Sequence, residues 1–157
     1  MSIQENLALI DRFYTAFAQK NTEAMNACYA KQAVFEDPAF GRLNDSEITS
    51  MWSMLIERGG KDLTVTHKIL DVTNGKAKAQ WTAIYPFSKT QRVIHNKITA
   101  EFIIEEGKIV YHKDHFNMWK WCSMALGLPG MLLGWSGLMK NKVQKTALSS
   151  LHKYMKK

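Results

Sequence analysis

Helical periodicity up to Gly59, two-residue alternation beyond Leu63, and turn signals spaced along the second half predict an α+β fold. Helices come first and a meander of long strands follows. That order places N-terminal helices against one face of a curved antiparallel sheet, with a C-terminal helical extension after it.

Ser2 followed by Glu5 reads as a capping box, and Leu7, Ile10, Phe13, Tyr14 and Phe17 then fall on one face of a first helix. Asn21 caps a short second helix carrying Met25, Cys28 and Tyr29, with Glu23 in the first turn where the helix dipole favours an acid. Ala33 to Asp37 is an extended segment stopped by Pro38, which also biases Asp37 away from helical angles. Asn44 with Glu47 is another capping pair, and Ile48, Met51, Trp52, Leu55 and Ile56 form the buried face of a third helix that ends at Gly59-Gly60. Leu63 to Thr73 and Lys76 to Phe87 are strands joined by Asn74-Gly75, the preferred two-residue hairpin turn. A turn at Ser88-Lys89-Thr90 leads to a strand from Gln91 to Glu105, and Glu106-Gly107 leads to a last strand from Lys108 to about Met118.

The length of 157 residues and a hydrophobic content of 46% suit one domain with its own core plus a tail. We place the domain at residues 1–118 and the extension at 119–157. The net charge of +7 resembles a nucleic-acid signal until it is located along the chain. From Met1 to Met118, 14 Lys and Arg are matched by 14 Asp and Glu; from Trp119 to Lys157 there are seven lysines and no acid. A neutral body, lysine without arginine in the tail, and aromatic-basic interleaving only at Trp119-Lys120-Trp121 argue against a nucleic-acid partner. Two distant cysteines, Cys28 and Cys122, make no disulfide framework, and Ser-Ile-Gln-Glu-Asn is not a signal-peptide start, so a cytoplasmic protein is expected.

The stretch from Val34 to Arg42 holds Glu36-Asp37-Pro38 between helical runs, and the last strand holds Lys113-Asp114-His115-Phe116-Asn117. With the element order, these motifs resemble the nuclear transport factor 2-like superfamily, in the branch of ketosteroid isomerases, limonene epoxide hydrolases and SnoaL-type polyketide cyclases. The resemblance extends over most of the chain up to Met118. It implies a cone-shaped sheet (a cystatin-like roll) around the first helix, an apolar pocket inside, and a homodimer. It places Asp37 where the isomerases hold their proton-abstracting carboxylate, and Asp114 where the cyclases and epoxide hydrolases hold an acid-base aspartate. The two enolate-oxygen donors of the isomerases fall on Phe13 and Ala100, which cannot donate. Losing such a donor typically costs about 2.7 to 4 kcal/mol of transition-state stabilisation, so steroid isomerisation by that route is not expected. The arginine and aspartate of the epoxide hydrolases fall among Asn96, Ile98 and Ala100, so that triad is absent as well.

Asp37 and Asp114 are therefore the catalytic candidates. In an apolar pocket, Asp37 would have a raised pKa, suited to a general base; in the plainer reading Asp-Pro is a turn pair in which the carboxylate caps a backbone amide. His112 and Asp114 share one strand face about 6.5 to 7 Å apart, a spacing that suits gripping one ligand rather than a direct dyad. His115 points to the other face, so alternation splits His112, Asp114 and His115 and no metal site is expected. No glycine-rich phosphate loop occurs, and no cofactor is expected. Tyr14, Trp52, Trp81, Tyr85, Asn96, His112 and Phe116 are the ligand-contact candidates for a small apolar or partly oxygenated molecule.

In the extension, Cys122 to Met139 is an uncharged run that reads as two short apolar segments meeting at Leu128-Pro129-Gly130. Val143, Ala147, Leu151, Tyr154 and Met155 then form a helical stripe among lysines. Two roles for it stay open: docking on its own body, or contact with an anionic membrane surface that would make the protein peripheral to the membrane. For the whole chain, three functions follow: an isomerase, cyclase or hydratase-like enzyme with an aspartate base, a binding module without turnover, or a membrane-associated protein acting through its tail.

Overall fold

The computed structural model describes residues 2–44 and 46–157. The elements are α1 (Ile3–Ala18), α2 (Thr22–Asn26), β1 (Tyr29–Asp37), β2 (Gly41–Asn44), α3 (Ser46–Gly59), β3 (Thr64–Val72), β4 (Lys76–Pro86), β5 (Val93–Glu105), β6 (Lys108–His115), α4 (Met118–Leu126), α5 (Leu128–Leu133) and α6 (Gly137–Met155). The six strands form one curved, open sheet in the order β2-β1-β6-β5-β4-β3. The fold is the predicted α+β cone, helices inside and against a bent sheet.

The Ser2–Glu5 capping box forms as read, with Ser2 Oγ accepting the Glu5 N–H at 3.1 Å and Glu5 Oε2 accepting the Ser2 N–H at 2.9 Å. The buried face of α1 is turned slightly from the predicted stripe: Leu9, Ile10, Phe13, Tyr14 and Phe17 are buried, while Leu7 is exposed. Asn6 goes inside instead, its Nδ2 donating to the carbonyls of Thr73 and Asn74 at 3.1 and 2.8 Å. The two backbone acceptors satisfy both N–H groups of the buried amide, although its Oδ1 has no partner among the described residues, and the bonds tie α1 to the β3–β4 turn.

Two regions differ from the sequence reading. The short helix ends at Asn26, so Tyr29 opens β1 and is not a helical residue. The turn after Asp37 returns the chain as β2, which pairs antiparallel with β1 from Val34↔Asn44 to Asp37↔Gly41. β1 in turn pairs with β6 in parallel, Phe35 opposite His112 and Glu36 opposite Lys113. The sheet is thus antiparallel except at this one junction, which joins the first and last strands and cannot be seen in local periodicity. Glu36 also accepts a hydrogen bond from Tyr111 across it.

The extension packs back on the domain. Gly127, with φ of +71°, breaks α4 from α5, one residue before the expected junction. Pro129 lies in the first turn of α5, where a missing N–H costs nothing. At Gly130 a Cβ would lie 2.0 Å from the Cys122 carbonyl oxygen, so α5 folds against α4 only with glycine there. α6 runs along α3: Leu151 is buried in the core, Tyr154 donates to Glu57 at 2.8 Å, and His152 meets Glu47 at 3.2 Å. No helix among the described residues is long and apolar enough to cross a membrane.

Because Leu151 is the one fully buried side chain of α6, Leu151→Ala should destabilise the protein by about 2–5 kcal/mol. Chemical denaturation would measure it; a midpoint equal to that of the unmodified protein would mean that α6 does not pack on the core.

Candidate functional site

Inward-facing residues of β4 and β5 alternate as Ala77, Ala79, Trp81, Ala83 and as Asn96, Ile98, Ala100, Phe102. The alanines decide where space remains. Ala83 is in register with Asn96, and Ala100 with Asp114, so each inward polar side chain faces a methyl group across the ladder. The result is a cavity of about 560 Å³ between the sheet, α3 and α6. Asp37, Asp114, Trp52, Trp81, Tyr85, Asn96 and Phe116 all line it.

Asp37 ends β1 at the cavity. Its Oδ1 accepts the N–H groups of Ala39 and Phe40 at 2.9 and 2.6 Å, closing the turn around Pro38. Its Oδ2 has no protein hydrogen bond among the described residues. Asp37 is half-buried and lines the cavity. Burial therefore dominates and pushes its pKa up from 3.8 to about 7, against the lowering effect of the Phe40 amide, with Asp114 adding repulsion and the Ala39 amide pulling the other way. The turn reading of Asp37 is met by Oδ1, while Oδ2 is left without a protein hydrogen bond among the described residues.

Asp114 is handled differently. Its Oδ1 accepts from His112 Nε2 at 2.8 Å and from Trp81 Nε1 at 3.3 Å. His112 Nδ1 meets the Tyr29 hydroxyl at 2.7 Å, and that hydroxyl accepts from Trp52 Nε1 at 3.0 Å. The indole N–H groups can only donate and an ionised carboxylate can only accept. With a neutral imidazole bearing its proton on Nε2, Tyr29 donates to His112 Nδ1 and Nε2–H donates to Asp114. Every proton then has an acceptor, and all five side chains are buried. Rings close around the imidazole, with Phe102 4.3 Å from its centroid, Phe35 at 5.0 Å and Phe13 at 5.8 Å.

Two sequence expectations change here. His112 and Asp114 do form a direct contact, because side chains on one strand lean along it and span a Cα separation that looked too wide. His112 does not reach the cavity, since it stands behind Asp114 under the aromatic rings. Tyr14 does not line the cavity either: its ring stacks on His67 at 5.2 Å and burial raises its pKa well above the usual tyrosine value, while its hydroxyl has no protein partner among the described residues.

The cavity also holds polar groups with unused capacity. Tyr85 Oη accepts from Trp121 Nε1 at 3.0 Å, leaving its own proton free, and burial raises its pKa. Asn96 is 7% exposed and its amide has no hydrogen-bond partner among the described residues. Lys89, Arg58 and Lys142 lie around the same cavity, and none of them pairs with an acid within 4 Å among the described residues. These three cations and the α6 wall (Met139, Val143, Ala147) were not among the candidates. The only sequence signal for the α6 wall was its helical stripe, which says that a face is buried but not against what; Arg58 and Lys89 lie on α3 and in the β4–β5 turn and gave none. No three His, Cys, Asp or Glu side chains among the described residues are grouped to hold a metal.

Comparison with known proteins agrees with this fold. The family model described as SnoaL-like domain matches residues 10–112, stopping short of Asp114 and the extension. A candidate polyketide cyclase from Silicibacter sp. is 17% identical, with 80% of this chain and 98% of that chain covered and a TM-score of 0.66. An LEH-like epoxide hydrolase from M. tuberculosis is 17% identical, with 83% and 97% covered and a TM-score of 0.60. A protein of ketosteroid isomerase-like fold from Catenulispora acidiphila, solved with trimethylamine, is 15% identical, with 82% and 96% covered and a TM-score of 0.65. At such identities the likeness is one of fold. No curated protein matches the chain.

Two consequences can be measured. Tyr29→Phe leaves Trp52 Nε1 and His112 Nδ1 without a partner, so it should cost on the order of 1–3 kcal/mol for each stranded group; a loss below about 0.5 kcal/mol in denaturant unfolding would mean the chain of bonds is not formed. Asp37 binds its proton more tightly folded than unfolded, so its contribution to stability is full below pH 3.8 and is lost as pH rises towards about 7. The melting temperature of Asp37→Asn, which keeps an acceptor for the turn, should therefore gain on that of the parent across this window; parallel curves would refute the shift.

Proposed function

Because the chain belongs to the SnoaL-like domain family, we propose that its cavity binds a small, mostly apolar oxygenated molecule and transfers a proton within it, with Asp37 as general base. The observation that carries the proposal is the free Oδ2 of Asp37 in an apolar cavity, with a pKa of about 7. A carboxylate poised there takes a proton from carbon without being fully protonated at neutral pH.

The reaction class is enolisation beside a carbonyl. Asp37 Oδ2 removes the proton, the electron pair moves onto the carbonyl oxygen, and the same carboxyl returns the proton to another carbon of the conjugated system. The oxygen needs donors at that moment, and the isomerase-type positions, Phe13 and Ala100, supply none. Tyr85 Oη–H and the Asn96 amide take this role, as donors that the sheet strands β4 and β5 carry into the cavity with protons to spare. Asp114 holds its place through Trp81 and His112, and its repulsion favours Asp37 in its protonated form once it has taken the proton. Arg58, Lys89 and Lys142 favour a ligand whose oxygenated or acidic end lies at the mouth.

A binding module without turnover is the second reading, favoured by one observation: Oδ1 of Asp37 closes the Pro38 turn, so an aspartate there has a structural use independent of chemistry.

Exchange of α-hydrogens for deuterium, followed by NMR over a panel of cyclic and polycyclic ketones, tests the proposal whichever ketone is the natural substrate. Exchange should rise with pH through about 7; Asp37→Asn should lower it about 10²–10⁴-fold and Tyr85→Phe about 10²–10³-fold, with binding retained. Binding of a ketone with exchange no faster than in buffer would decide for the binding module.

A further inference from the structure

The helices that wall the cavity carry a second surface on their outer side. Leu126, Pro129 and Met139 face the cavity, whereas Leu128, Leu132, Trp135 and Leu138 are 65%, 62%, 69% and 82% exposed. Met131 and Leu133 are exposed beside them. Large apolar side chains in this density are unusual on a soluble surface and mark an interaction site. They are also held in place: Gly130 seats α5 against Cys122, and the Trp119 and Trp135 indoles donate to the Met131 and Leu132 carbonyls at 2.9 and 2.8 Å. The patch is therefore a built feature and not a frayed end.

Its charge surroundings select the occupant. Exposed Lys120, Lys140, Lys142 and Lys145 lie on the same segment, which carries no acid from Trp119 onward. Arg92 reaches it from the strand side, with its Nε donating to the Met124 carbonyl. An apolar tip with partly exposed tryptophans, surrounded by cations, complements the hydrocarbon boundary and the negative headgroups of an anionic bilayer. A second copy of the chain would bring the same lysines against one another, with no acid on this segment to pair them.

We propose that the α4–α5 tip and the start of α6 dock the protein on anionic lipid surfaces, with Leu128, Leu132, Trp135 and Leu138 inserted at the level of the headgroups. Docked in this way, the cavity lies one helix layer from the lipid, so an apolar ligand partitioned into the membrane has a short route to it. The docking itself does not depend on the chemistry proposed for Asp37.

The test is co-sedimentation of the full chain with phosphatidylcholine vesicles containing phosphatidylglycerol, and with phosphatidylcholine alone. Binding is expected to the anionic vesicles, weakened about fivefold for each charge removed by Lys120→Gln and Lys140→Gln and roughly tenfold or more by Leu132→Ser with Trp135→Ser. All four side chains are exposed and the one bond lost, from Trp135 Nε1 to the Leu132 carbonyl, is local to the tip, so melting of the domain core should stay near that of the parent. In the parent, brominated lipid should quench tryptophan fluorescence. Absence of binding to anionic vesicles would overturn the proposal. So would light scattering that shows a stable dimer abolished by the Leu132 and Trp135 substitutions, since a second copy would then own the patch.

Discussion

The parallel pairing of β1 with β6 is the constraint on which the site depends. It is a junction between strands that lie about 80 residues apart in sequence, and it carries little side-chain signature of its own. Set in register at Phe35↔His112 and Glu36↔Lys113, it brings Asp37 and Asp114 to the same end of the sheet, and it lets Tyr29 reach His112. A slip of one residue would turn Asp37 and Phe35 to the outer face and separate the carboxylate from the cavity. The short β2 return reinforces the register by holding β1 on its other side, and Gly41 makes that return possible with φ of +71° where a Cβ would meet the Gln144 amide.

Two aspartates share this cavity and are treated in opposite ways by their surroundings. Asp114 is compensated: an imidazole and an indole donate to one oxygen, and a phenol and a second indole keep the imidazole oriented. Buried charge is tolerated when its hydrogen-bonding capacity is met, and costs heavily when a partner is removed. Asp37 has donors only on the oxygen that makes the turn, and burial with a like charge nearby raises its pKa to about 7. A carboxyl whose pKa is raised by burial in a cavity is a recurrent feature of sites that move protons.

α6 completes the enclosure. Without its Met139, Val143 and Ala147 the cavity would open along α3, and an apolar ligand would lose the burial that holds it. The anchors of α6 lie at its far end, where Leu151, His152 and Tyr154 meet the core and α3. Its near end joins the exposed apolar tip. One segment thus presents an inner face to the ligand cavity and an outer face of a different character to the surroundings.

The α+β class, the helix starts at Ser2 and Asn21, the Asn74-Gly75 hairpin and the order of the four long strands were all legible in the sequence, because caps, turn residues and side-chain period are local properties. The Glu-Asp-Pro and Lys-Asp-His-Phe motifs likewise pointed to Asp37 and Asp114. The sequence could not show that Tyr29 belongs to a strand and reaches His112, since that contact spans 83 positions and the residue also suits a helix. It could not show that His112 touches Asp114, because rise along a strand fixes Cα spacing and not where side-chain tips meet. Nor could it separate Leu7 from Asn6 on α1, where partners on another element decide which residue is buried. Periodicity names a face; only the tertiary structure supplies what that face meets, and here that decided which polar groups are satisfied and which are left free for a ligand.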